Sequence, residues 1–530
     1  MRRSTRLLAF LFTFVLLAAA CGQKPGVHTR GRGTLVGGAA EEGLGTTEAG
    51  GELAAGQSGS GSSSEGGSSG GTSSGSTGGT TGGSTGGTTG GAGDTTGVTP
   101  TVIRIGFHAP ITGASAVALS DIRLGTDLLK DYLKAKGVTI HGRNTITYVK
   151  DDQYSPSHAV SVCRELVEQR KVFMLVGGGG TDQVQACARY ASTKGVPYLS
   201  AGVTENVLKN LKNYFAFSAT YPDQAKPLVS MLHDFVQPAI PGAFPGGPVM
   251  QDRCPGTEAN AVPCDNPQTA APRAQDRNAR VAIVYSDTEG FYDARDAFLA
   301  EFQAKFGRKV DDVESITKFV ISGSDANSKM LALKRKGVDV IYVLTSPTNW
   351  LELVNRANQQ QFRPKWVGVG ITKGLNIVAG TLGCARYPTA IHGSLFLSPW
   401  YSTRHDDAKQ FGEAWKLAQD AGKADGRDYR AVDLAFGVWG GSIVQAALLH
   451  NAGKNLTRKG FISATEKVQN FKWTSNMGWD LKQVYPNVSY SPGNHFGSQQ
   501  VHLLWAHCFN PGDAGYWDYF PGEGHFVSGF

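Results

Sequence analysis

The chain of 530 residues lacks the features that mark membrane spans, common enzymes or nucleic-acid binders. Its longest apolar run, 7–20, falls short of the ~20 residues a transmembrane helix needs. From residue 101 onward there is no G-x-S-x-G elbow, no H-E-x-x-H, no phosphate-binding P-loop and no G-x-G-x-x-G. The usual signatures of serine hydrolases, zinc proteases and nucleotide-dependent enzymes are therefore missing. No C-x-x-C pair occurs, so neither a zinc ribbon nor a thioredoxin-like centre is suggested. The twelve histidines are scattered, and although His495, His502 and His507 fall close together, the last two fit a strand and its end. The formal charge of +7 includes Arg2, Arg3 and Arg6, which belong to a segment expected to be removed. The remainder is mild, and no basic stripe with interleaved aromatics predicts contact with nucleic acid. Neither a catalytic centre nor a metal or cofactor is expected.

What is present begins with an export signal over 1–20: a positive start, the apolar run, and the small residues Ala18, Ala19 and Ala20 before Cys21 and Gly22. This resembles the lipobox of bacterial lipoproteins, except that Leu17 lies four residues before the cysteine, where three is usual. The resemblance implies lipidation of Cys21 and an extracytoplasmic protein tethered to a bacterial cell membrane. Stable tethering takes more than one acyl chain. The alternative is ordinary cleavage after Ala20, leaving a free thiol. With Cys21 lipidated, six cysteines remain, an even number suited to an oxidising compartment: Cys163, Cys187, Cys254, Cys264, Cys384 and Cys508. Six cysteines allow 15 pairings.

Residues 21–100 read as a disordered linker, almost pure Gly, Ser and Thr over 56–97. Such a coil spans roughly 35 Å on average, enough to hold a folded domain away from a membrane. Folded sequence starts near Thr101 and exceeds the ~250–300 residues at which one core stops growing, so two lobes are expected. The pattern alternates strand and helix, as in doubly wound parallel sheets. Strands are predicted over 102–107, 144–150, 172–176 and 196–200, then over 279–286, 315–320, 339–345 and 365–370. Helices lie between them, one capped by Ser155 with Pro156 at its first position. Asp151-Asp152 reads as a strand end leading into that capped helix, rather than as a metal or acid–base pair. Pro238 to Asn278 interrupts the pattern and is read as a loop insertion.

Several pieces in fixed order carry a family resemblance. They are Ile103-Arg104-Ile105-Gly106 leading to Pro110-Ile111-Thr112-Gly113, then Asp151 to Pro156, Lys171 to Gly177, Gly195-Val196-Pro197-Tyr198, Val281 to Tyr285, and Asn476-Met477-Gly478-Trp479. This resembles the substrate-binding proteins of branched-chain amino acid ABC transporters, with the type I periplasmic-binding-protein fold. The resemblance implies an α/β fold of two doubly wound lobes joined by a three-strand hinge. It places lobe one at 101–222 and 399–490, lobe two at 223–398 with the insertion 238–278, and a lobe-two return and tail at 491–530. Crossovers fall near 221–224, 397–401 and 485–497. A small-molecule ligand and a transporter permease are the implied partners, and a monomer is expected. A sensor domain without transport, or an extracytoplasmic hydrolase, are the alternatives.

In open parallel sheets, ligands bind beyond the carboxyl ends of the strands. Gly177–Gly180 with Thr181 would let amides at a helix N-terminus approach a carboxylate, and Gly202-Val203-Thr204 offers amides and a hydroxyl. In the family these two turns hold the ligand carboxylate, which selects Gly180, Thr181, Gly202 and Thr204. The resemblance adds Ser115, Glu289, Phe291 and Ser346. The position where family members carry an acid for the α-ammonium falls on Gly370, and no Asp or Glu lies within ten residues of it. Family aromatic positions fall on Val117 and Ser346. A buried ammonium without a counter-charge is unfavourable, so a small carboxylate, amide or other polar metabolite is expected instead, with Glu289 a possible substitute charge. The implied lobe map puts each cysteine pair within one lobe, as Cys163–Cys187, Cys254–Cys264 and Cys384–Cys508.

Overall fold

A computed structural model describes residues 93–232, 279–317, 320–370, 383–384, 386–391, 393–400, 402–403, 408–471, 481–482, 484–508 and 516–519. The export signal, Cys21, most of the linker, the insertion with Cys254 and Cys264, the 476–479 motif and most of the tail lie outside the described residues.

The first lobe is built on β1 (Val102–Ala109), α1 (Leu119–Ala135), β2 (Asn144–Asp151), α2 (Pro156–Arg164), β3 (Met174–Gly177), α3 (Thr181–Thr193), β4 (Tyr198–Ser200) and β5 (Tyr214–Ala216). Its five strands are all parallel, in the order β2-β1-β3-β4-β5. The Ser155 hydroxyl accepts from the His158 amide and Pro156 opens α2, as the sequence predicts.

The second lobe follows with α4 (Tyr221–Met231), β6 (Val281–Ser286), α5 (Glu289–Phe306), β7 (Asp312–Ile316), α6 (Gly323–Arg335), β8 (Val340–Leu344), α7 (Pro347–Gln359), β9 (Lys365–Gly368), the short α8 (Pro388–Ile391) and β10 (Leu395–Ser398). Its sheet runs β12-β11-β10-β9-β8-β6-β7. Strands β6 to β10 are parallel, β11 (His502–His507) adds antiparallel to β10, and β12 (Tyr516–Tyr519) adds antiparallel to β11. Strand β7 sits earlier than the predicted 315–320. It is the edge strand, half-exposed and polar, so its apolar signal is weak.

Burial follows the pleat. Val281, Ile283 and Tyr285 enter one core while Ala282 and Val284 enter another, which is why β6 reads as a continuous apolar run. Helices α9 (Lys409–Asp420), α10 (Asp433–Asn451) and α11 (Arg458–Thr465) return to the first lobe, where Phe411, Trp439 and Phe461 share a core with Ile103 and Phe107. The chain thus passes between the sheets three times: after Ala216, after Ser398 and before His502. The Ala216 amide donates to the His495 carbonyl and the Gly497 amide to the Ala216 carbonyl, both at 2.9 Å, so 495–497 still holds to the first sheet. The bonds Cys163–Cys187 (Cα–Cα 6.0 Å) and Cys384–Cys508 (Cα–Cα 5.1 Å) each stay within one lobe.

Polar contacts between the lobes include those of the Asp182 carboxylate with Thr288 and Gly290. The Thr348 hydroxyl donates to the Ala114 carbonyl at 3.0 Å, and Arg189 pairs with Glu289 at 3.0 Å. Asp293 on α5 accepts from the Thr204 hydroxyl at 2.7 Å and from the amides of Glu205 and Asn206 at 2.5 and 3.2 Å. Burial pushes the Glu205 carboxyl up, and the Asp223 and Asp293 charges add to this, while the Thr220 hydroxyl partly offsets it. Burial likewise raises Asp182 and Asp223.

Two outcomes are expected. A carboxyl raised in the folded state stabilises below its ordinary pKa and loses that contribution as pH rises through the raised value. The stabilising contribution of Glu205 should therefore decline from the ordinary carboxylate range toward neutrality, opposite in sign to that of lowered carboxyls such as Asp151. Glu205→Gln should flatten that decline and raise the midpoint at pH 7; parallel profiles for the two proteins would contradict it. Replacing both Cys163 and Cys187 by Ser should cost about 3 kcal/mol of stability, by loop-closure entropy, as read from denaturant unfolding of the first lobe.

Candidate functional site

The site starts from a backbone constraint. Between β3 and α3 the chain turns through Gly179 and Gly180 at φ of +117° and +81°, in a region that L side chains rarely adopt. A Cβ at Gly180 would also collide with the Gln183 side chain. Glycine therefore brings the N-terminus of α3, with its partial positive charge, up to the carboxyl edge of the first sheet.

Behind this turn lies a buried polar frame. The His108 Nδ1 meets the Asp152 carboxylate at 2.8 Å and its Nε2 meets the Tyr198 hydroxyl at 2.6 Å. Asp152 also accepts from the Tyr154 amide at 3.0 Å. Asp151 accepts from the amides of Ile111, Thr112 and Gln153 and from the Thr112 hydroxyl. Although burial works against it, these bonds hold the Asp151 carboxyl below its ordinary value. The two aspartates thus fix the loop after β1 and the start of α2. His108, Cys163 and Cys187 approach one another, but both sulfurs are spent in the disulfide, so the group offers no metal site.

In front of the turn lies a cavity of about 230 Å³. Its walls come from the first lobe and its return segments, with Pro347 and Gly370 closing it from the second. Phe217, Trp400 and Tyr485 form an aromatic side, with Tyr485 edge-on to Phe217 at 4.7 Å between centroids. Gly437 and Gly441, one helical turn apart on α10, line its floor among Leu434, Val438, Ser442 and Gln445 of the same helix. A Cβ at Gly437 would find its nearest atom 3.8 Å away, and the Tyr485 hydroxyl donates to the Gly437 carbonyl at 3.3 Å. The polar lining is sparse: Ser115, Tyr154, Asp433, Ser442, Gln445 and the glycine backbone. Burial, with Asp182 and Asp152 nearby, pushes the Tyr154 phenol well up, so it stays a neutral donor. No basic side chain lines the cavity among the described residues.

Of the eight ligand residues expected from sequence, Ser115 and Gly180 line this cavity. The other six lie elsewhere, each for a visible reason. Thr181 is buried at the start of α3, against Gly290 of the second lobe. The Gly202 amide donates to the Ser218 hydroxyl, and Thr204 is taken by Asp293. Glu289 is exposed and paired with Arg189. Phe291 is core and stacks on Tyr221 at 6.1 Å. Ser346 caps α7 by accepting from the Asn349 amide. Sequence reading missed the aromatic side and the glycine floor. The small-residue spacing Gly437-x-x-x-Gly441 was the available signal.

The family profile described as periplasmic binding protein matches residues 102–503. No match is found among curated proteins. Solved structures share the fold at low identity. A possible leucine/isoleucine/valine-binding protein from Rhodopirellula baltica is 15% identical, with 80% of this chain and 98% of that one covered and a TM-score of 0.55. A fatty acid ABC transporter substrate-binding protein from Thermomonospora curvata is 16% identical (80% and 93% covered, TM-score 0.57). An ABC transporter solute-binding protein from R. palustris, in complex with 4-hydroxybenzoate, is 17% identical (81% and 97% covered, TM-score 0.57). With two facing α/β lobes, a cavity at their boundary and a profile match over most of its length, this chain belongs to the periplasmic binding protein family.

Proposed function

We propose that this chain is the extracytoplasmic solute-binding component of an ABC importer. On this reading Cys21 is the lipid anchor and 21–100 the tether. A solute docks on the first lobe at the Gly177–Gly180 turn, the second lobe closes over it through Pro347 and Gly370, and a permease receives the closed form. Closure is favoured only by the solute's differential affinity for the closed state.

The observation that carries this reading furthest is the character of the interlobe cavity. Its volume of about 230 Å³ exceeds the ~150 Å³ that holds a benzene ring in an apolar protein cavity. Its aromatic side, with Val117, Ile122, Leu434 and Val438 in the lining, suits an apolar body. An acid or amide head fits the glycine turn, where helix-terminal amides would meet it without a lysine or arginine. The acid that would pair an α-ammonium is missing from the family position, Gly370, and Glu289 is paired with Arg189, which leaves Asp433 on α10 as the carboxylate in the lining. The named ligands of two relatives, a fatty acid and 4-hydroxybenzoate, are apolar-bodied carboxylates and agree with this choice. The proposed solute is a small carboxylate or amide with an aromatic or aliphatic body.

A thermal-shift panel of aromatic acids, medium-chain fatty acids, their amides and free amino acids tests the proposal. A true ligand at one hundred times its Kd adds about 2.7 kcal/mol of stability. Apolar-bodied acids or amides should stabilise the protein, and Gly437→Phe, which fills the floor, should weaken that response at least tenfold while the variant stays folded. Stabilisation by leucine, isoleucine or valine alone would overturn the ligand class.

A further inference from the structure

We propose that the turn 202–206 is a carboxylate receptor that the chain fills itself with Asp293, so that an internal anion latches the two lobes. Three donors converge on one oxygen. The Thr204 hydroxyl, the Glu205 amide and the Asn206 amide reach the Asp293 Oδ2 at 2.7, 2.5 and 3.2 Å. This is the donor set that binds a carboxylate ligand: neutral, backbone-rich and aimed at a single point. Thr204 is fully buried, which fixes its hydroxyl. Gly202 permits the turn to press against the backbone of Ser218 and Ala219, where a Cβ would collide. The receptor is therefore preformed by the first lobe, and its occupant arrives on α5 of the second.

The surroundings favour this reading over simple charge pairing. The neighbouring carboxyls are Glu205 on the same turn, which feels the charges of both Asp293 and Asp223, and Asp223 itself on α4; the nearby Lys226 pairs with Asp223 at 3.7 Å. An anion seated among anions is held there by its hydrogen-bond donors. The turn is thus closed to the solute's own head group, which leaves the Gly177–Gly180 turn as the polar end of the cavity. The latch adds to closure at a point outside the cavity, since none of Gly202, Thr204 and Asp293 lines it.

Chemical rescue tests the latch without any transported solute. Asp293→Ala removes the anion from a helical position that alanine suits. Small-angle scattering of the purified protein should show an expanded particle, from an open population raised on the order of tenfold to a hundredfold. Acetate should then restore compaction in a saturable way, at an ionic strength matched with chloride, while leaving the natural protein unchanged. Adding Thr204→Val should abolish the rescue. Asp293→Asn, which keeps the shape and loses the charge, guards against misfolding and should give partial expansion. A compact Asp293→Asn, or an expanded Asp293→Ala that acetate leaves expanded, would overturn the latch. Neither result bears on the solute class proposed for the cavity.

Discussion

The turn after β3 can only be made from glycine, because Gly179 and Gly180 take backbone angles that other residues resist. Much of the site follows from that constraint. The turn aims the N-terminus of α3 at the lobe boundary, gives the cavity a wall of backbone rather than side chains, and seats Thr181 where Gly290 of the second lobe can pack on it. The frame of His108, Asp152 and Tyr198 beneath it is fully buried and hydrogen-bonded at both ring nitrogens, so the turn rests on a rigid base. The Cys163–Cys187 bond joins the two helices that flank it.

Across this rigid edge the second lobe makes polar contacts, Thr348 to Ala114, Arg189 to Glu289, Asp182 to Thr288 and Gly290, and Asp293 to the 204–206 turn, beside the packing of Gly290 on Thr181. Exposed ion pairs such as Arg189–Glu289 contribute little. Charge-assisted bonds from fixed backbone amides contribute more. On the proposals above, Asp293 and whatever fills the cavity act on the same closure, and so on the balance between the lobes, from different places. The raised carboxyls of Asp182, Glu205 and Asp223 make that balance sensitive to pH.

The fold was legible because parallel strands buried on both faces leave continuous apolar runs, and because Ser155-Pro156 announces a helix start. The edge strand β7 was misplaced where its face is wet and polar. The site was legible only in part. Gly180 could be read from a glycine run at a strand end, and Ser115 from its place in the first loop of the family pattern; both line the cavity. Thr204 was expected to meet a ligand carboxylate, yet its hydroxyl donates to Asp293, 89 residues away, a partner no local pattern reveals. Ser346 and Phe291 sit at family-like positions but serve as cap and core. Trp400 and Tyr485 reach the cavity from separate return segments, so only tertiary structure brings them together.

The most direct test of this account is a crystal structure of the protein soaked with whichever acid or amide stabilises it most. The account predicts solute density between the Gly177–Gly180 turn and the Gly437–Gly441 floor, with Asp293 still bonded to Thr204. Density on the 202–206 turn with Asp293 displaced, or outside the lobe boundary altogether, would contradict it.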